Sequence, residues 1–147
     1  MFIKGVKILF VVLLFYLMTS TSTTPLEAYE ETSPARRLHK AHALCTLNKS
    51  PPATDDNDNE QIVETFIRCM ATKMGLWTDK DGYNAKQVAK FFNKHNYENE
   101  VMTIVDYCNH QHQQTNLDLW AYESYRCATE GRIGAWLEEY YMLSLKL

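Results

Sequence analysis

The sequence predicts an all-α domain, and three observations carry that prediction. Apolar residues between the cysteines recur at three- and four-residue spacing. No stretch sustains the two-residue alternation of a strand. Glycine and Asn/Asp punctuation divides the chain after residue 33 into about six helix-sized segments joined by short loops.

The first segment, residues 34 to 47, reads as a helix ending near Cys45. After it, "TLNKSPPATDDNDNE" is the one stretch expected to be irregular, and its acidic end offers caps for the next helix. That helix runs from about Asn59 to Gly75, with Ile62, Val63, Phe66, Ile67, Met70 and Met74 on its apolar side and Cys69 within it. The turn signal "TDKDGYN" leads to a helix from Asn84 to Asn93 built on Val88, Phe91 and Phe92. Another spans Asn99 to His112 with Val101, Ile104, Val105 and Cys108. The next spans Leu117 to Thr129 with Trp120, Ala121, Ser124, Tyr125 and Cys127. Beyond the Gly131 break, Ile133, Trp136, Leu137 and Tyr140 share one side of a last amphipathic segment.

Ahead of these helices the chain carries Lys4 and Lys7, an apolar run from Ile8 to Met18, and the small hydroxylated stretch "TSTSTT". This pattern predicts a secretory signal peptide over residues 1–22, with cleavage near Ser22. The run is too short to span a bilayer of roughly 30 Å, so no membrane anchor is expected. Residues 23–33, rich in Thr and Glu, are expected to be loosely held ahead of a helical domain over 34–147. Loss of the leader removes two of 15 basic residues and leaves 13 against 18 acidic ones, a formal net charge of about −5. Basic residues are scattered among acids, which points away from a nucleic-acid partner.

Four cysteines in a chain bound for an oxidising compartment are read as two disulfides, with three connectivities open. Zinc fits poorly, because the 23, 38 and 18 residues between them leave no close pair of thiols. "DDNDNE" and "DKDGYN" lack the sixth-position glycine of a calcium loop, and their twelfth positions fall on Phe66 and Lys90. His110 and His112, one residue apart on a helix, point about 200° away from each other. His39, His42 and Cys45 share a helix face, where a disulfide for Cys45 is favoured over a metal. No nucleophile elbow, zinc-protease helix, thiol–histidine pair or secreted-phospholipase signature is present, so neither an enzyme nor a cofactor is expected. "NKS" at Asn48 is formally a glycosylation acceptor, immediately followed by Pro51.

The cysteine-bearing segments resemble the insect odorant-binding proteins of the pheromone-binding and general-odorant-binding type. That family carries two cysteines three residues apart, then a Lys-Met-Gly-Leu-like run and an acidic turn. Here "TFIRCMATKMGLWTDKDGYN" matches with Thr65 in the first position and Cys69 in the second. The family's closing signature is two cysteines eight residues apart. Here "DLWAYESYRC" matches with Asp118 first and Cys127 last, and Cys108 lies at the family's spacing before it. The resemblance covers roughly residues 45 to 127 and departs from the family in a shorter interval between Cys45 and Cys69. It implies the pairs Cys45–Cys69 and Cys108–Cys127. Both positions of the remaining bridge are replaced together, as in the four-cysteine "minus-C" subtype. It further implies that Thr65 and Asp118 lie within hydrogen-bonding reach.

The resemblance also implies a helical shell around an apolar cavity that carries a small hydrophobic molecule such as an odorant, pheromone or lipid-like ligand. The candidate lining is Phe66, Met70, Met74, Phe91, Phe92, Trp120, Trp136 and Tyr140. An apolar stripe alone is more often plain core than the lining of a ligand site. Two further functions are open. A related family, the salivary D7 proteins of blood-feeding flies, scavenges amines or eicosanoids, and an amine pocket here would draw on Asp118, Glu123, Tyr107 or Trp120. The other is a ligand-free secreted interaction protein whose interior is filled by residues 133–147. The residues fix no oligomeric state.

Overall fold

The structure is a computed structural model and describes residues 33–47 and 56–147, with side chains from residue 59 in the second stretch. The expected leader, nearly all of the 23–33 segment, the Asn48 acceptor and most of the irregular stretch lie outside these residues.

Helix α1 (Pro34–Thr46) starts at Ser33, whose hydroxyl accepts from the Arg36 N–H at 3.3 Å, and Pro34 occupies a first-turn position where no N–H is needed. Leu38, Ala41 and Cys45 form its buried face. Helix α2 (Asp56–Lys73) begins three residues before the expected Asn59. It stops because Gly75, at φ +70°, turns the backbone left-handed. Its N–H then donates to the Thr72 carbonyl at 3.0 Å, and that of Leu76 to Ala71 at 2.9 Å.

The acidic turn is a small antiparallel hairpin of β1 (Trp77–Thr78) and β2 (Gly82–Tyr83), with Trp77 opposite Tyr83. From the sequence this stretch reads only as a turn, because strands of two residues are too short to show alternation. Gly82 has φ +74°, and a Cβ there would strike the Asn109 amide and come within 2.6 Å of the Trp120 ring.

Asn84 caps α3 (Ala85–Phe91) by accepting from the Gln87 N–H at 3.0 Å, and a 3-10 turn, Asn93–His95, follows. Helix α4 (Glu98–Gln111) carries Glu98 and Glu100 at its positive end, a favourable placement. Asn116 caps α5 (Leu117–Ala128), and α6 (Arg132–Ser144) follows Gly131.

Helix α5 packs on α2 and α4, α3 packs on α4, and α1 packs on α2 and α6. Cys45–Cys69 ties α1 to α2 and Cys108–Cys127 ties α4 to α5, the pairing that the resemblance implied. Two apolar clusters result. The larger gathers Leu38, Met70, Val88, Phe91, Val105 and Ile133 with their neighbours; the smaller is Ala71, Trp77, Trp120 and Ala121.

Candidate functional site

Inside the larger cluster lies a cavity of about 620 Å³. Helix α2 and the residue that follows it supply one wall through Phe66, Ile67, Met70 and Met74; α3 and its C-cap supply Val88, Phe91 and Phe92; α5 and its C-cap supply Tyr125, Ala128 and Thr129; α6 supplies Ile133 and Leu137. Phe66 and Met74 pack against the core yet are only half-buried, because part of each faces empty space. The exposed lining residues His42, Glu138 and Tyr141 mark where the cavity meets solvent, and the His42 ring stands edge-on to Phe66 at 5.7 Å.

Five of the eight residues singled out from the sequence line this space: Phe66, Met70, Met74, Phe91 and Phe92. The other three do not. Trp120 is buried in the smaller cluster, 4.9 Å from Trp77, with its Nε1 donating to the Asn109 carbonyl at 2.8 Å. Trp136 stacks on His95 at 4.2 Å and on Tyr97 at 5.6 Å. Tyr140 is buried against the Phe91 and Phe92 rings at 5.4 and 5.6 Å, backing the wall from behind. Helical spacing shows which face a helix buries, not whether the space beyond it is filled. Tyr125, Ile133 and Leu137 were legible as core-facing residues and carried no sign of the cavity. Thr129 carried no apolar signal, and the single methyl of Ala128 too small a one to mark it.

The residues named for an amine pocket are not gathered in this space either. Asp118 pairs with Arg68 at 3.0 Å, Glu123 pairs with Arg126 at 3.6 Å, Tyr107 is exposed, and Trp120 is enclosed as described. The segment from residue 133 onward forms one wall of the cavity through α6.

The lining is electrically quiet. Among the described lining residues none is Lys or Arg, and Glu138 and His42 stand exposed at the mouth. Burial pushes the Tyr83 and Tyr125 phenols above their ordinary range, so both remain protonated donors at neutral pH. Tyr83 gives its hydrogen to the Ala121 carbonyl at 3.1 Å.

Where α2 meets α5, a polar latch stands in the position of the absent bridge. The Thr65 hydroxyl donates to Asp118 Oδ2 at 3.2 Å, and Arg68 Nη1 donates to Asp118 Oδ1 at 3.0 Å. Arg68 also grips Asp79 through Nε at 2.9 Å and Nη2 at 2.5 Å, and Trp77 Nε1 adds a bond to Asp79 at 2.9 Å. The hydrogen bonds from Arg68 and then Trp77 hold the Asp79 carboxyl below its usual range. Beside the latch, burial first and the carboxylates of Glu60, Asp118 and Glu123 next push Glu64 upward. No group of His, Cys, Asp and Glu able to hold a metal occurs among the described residues.

With the fold and cavity established, the comparisons identify the class. The chain matches the model of the PBP/GOBP family, the odorant- and pheromone-binding proteins, over residues 36–131. It belongs to that family, whose members are carriers of small ligands, and its four cysteines in two disulfides fit the minus-C subtype. Neither a curated protein nor a solved structure matches the chain.

Proposed function

We propose that the mature chain is a secreted carrier that holds one small hydrophobic molecule in the cavity between α2, α3, α5 and α6. The observation that carries this reading is an apolar space of about 620 Å³ whose charged lining residues stand only at its mouth. That volume lies within the roughly 300–1,000 Å³ of small-molecule sites. Each methylene moved from water into it contributes about 0.8 kcal/mol, so an aliphatic body of about ten carbons supplies the gross energy of a micromolar complex, about 8 kcal/mol. Phe66, Met70, Met74, Phe91 and Phe92 are the proposed contacts, and the flexible thioethers let the wall adapt to different shapes. Secretion is supported by the leader pattern, by the disulfides and by the family's extracellular setting. No helix among the described residues is long and apolar enough to cross a membrane.

The test is a titration of the mature, disulfide-intact protein with N-phenyl-1-naphthylamine, followed by competition with neutral alcohols and with serotonin. Saturable binding displaced by the alcohols is expected. Replacing Ala128, which lines the cavity, by Trp fills the space and abolishes that binding while the protein still unfolds cooperatively. Absence of saturable binding, or displacement by serotonin alone, contradicts the carrier.

A further inference from the structure

We infer that the Tyr125 hydroxyl is the inner anchor of the cavity and selects ligands bearing one uncharged oxygen, such as an alcohol, aldehyde or ester, on an apolar body. The inference deepens the carrier reading and rests on it. Its starting point is an accounting of the polar groups in the wall. Tyr83 OH donates to the Ala121 carbonyl at 3.1 Å, Ser124 Oγ to the Cys108 carbonyl at 3.3 Å, and Thr129 Oγ1 to the Tyr125 carbonyl at 2.8 Å. These hydroxyls are committed, and that of Tyr141, which makes no hydrogen bond among the described residues, stands at the exposed mouth rather than inside. Tyr125 lines the same wall, half-buried, and its own hydroxyl makes no hydrogen bond among the described residues. Nor is that oxygen sealed away: the buried, partnerless side-chain atoms include the Tyr140 hydroxyl but not that of Tyr125.

An apolar ligand seated against Tyr125 would strip water from a phenol and give nothing back, whereas a ligand oxygen replaces the lost hydrogen bond. Selection therefore comes from the cost of leaving that hydroxyl dry. The same accounting sets the charge of the head group. A carboxylate drawn inside finds no Lys or Arg in the described wall and meets Glu138 as well as His42 at the mouth; an ammonium finds no inner carboxylate. An uncharged oxygen is the head group the wall can satisfy.

The experiment uses the mature, disulfide-intact protein and displacement of N-phenyl-1-naphthylamine by decan-1-ol, decane and decanoate. In the unsubstituted protein decanol is expected to compete about tenfold better than decane, a ratio that corresponds to one satisfied hydrogen bond. Tyr125→Phe should erase most of that tenfold ratio, weakening decanol because its oxygen loses its partner and tightening decane because no hydroxyl is left dry. As a readout independent of the variant, tyrosine Cζ resonances of the unsubstituted protein should show one large shift with decanol that decane does not produce, assigned to Tyr125. An unchanged decanol-to-decane ratio in Tyr125→Phe, or tightest binding by decanoate, overturns the anchor while leaving the carrier intact. Failure of the fluorophore to bind the unsubstituted protein overturns the carrier reading itself.

Discussion

The two faces of α5 differ in what they meet. On one face Trp120 and Ala121 press against the hairpin and α4. Trp77 and Trp120 meet edge to face there, and Asn109 binds the hairpin through its Oδ1, which accepts from Tyr83 N–H at 2.9 Å, and its Nδ2, which donates to the Asp81 carbonyl at 3.0 Å. On the other face Tyr125, Ala128 and Thr129 border open space. One helix thus separates a filled, hydrogen-bonded half from a vacant one. The lesson is a division of labour: substitutions on the filled face should act on stability, and those on the vacant face on affinity.

The largest effect that would break this comparison if absent is at Trp120. Trp120→Ala removes a buried ring and leaves the Asn109 carbonyl without its donor, and should lower stability by about 3–5 kcal/mol in chemical denaturation. A loss below about 1 kcal/mol would mean that the filled face is not the structural one. Next is the α2–α5 contact. Thr65→Cys combined with Asp118→Cys should restore a third bridge and raise stability by about 2 kcal/mol in the oxidised form only, as read by denaturation with and without reductant. Asp118→Ala alone removes the acceptor shared by Thr65 and Arg68 and should cost about 1–2 kcal/mol, a loss that shrinks as salt is added.

Acid sharpens the picture with smaller effects of opposite sign. Burial lowers the His95 pKa, and its Nε2 has no partner. Its contribution is complete above the unfolded value of about 6.5 and is lost as pH falls through the folded value. His95→Phe keeps a ring against Trp136 and should flatten the stability profile between about pH 7 and 5. Glu64 runs the other way. Its raised pKa means that the folded state holds its proton more tightly than the unfolded chain, so Glu64 weakens the fold once pH exceeds the unfolded value of about 4.3. Glu64→Gln should raise the melting temperature by a few degrees at pH 7, roughly the effect of 1 kcal/mol or less, and change little below pH 4.

The sequence showed the helices and the two staples more readily than the cavity. Apolar spacing located α2 through Phe66, Met70 and Met74 because burial on one face is a periodic property. The joint replacement of two motif cysteines also foretold that Thr65 and Asp118 would meet. Arg68 and Asp79 were not foreseen as part of the same latch, since their pairing depends on how the hairpin folds back over α2. Asn109 was hidden for a similar reason: a polar residue in a helix says nothing of the backbone it will bind. Trp120 and Tyr125 show the limit most clearly. Both lie on the apolar side of α5, yet one fills its surroundings and the other borders a void, a difference set by neighbouring helices rather than by its own segment.

The most direct measurement of the central claim is diffraction from crystals of the mature protein grown with 10-bromodecan-1-ol, locating the bromine by its anomalous signal. The account predicts a single bromine position enclosed by Met70, Phe91 and Ile133, with the alcohol oxygen at the Tyr125 hydroxyl. Bromine bound only on the outer surface, with the space between those side chains closed, would contradict it.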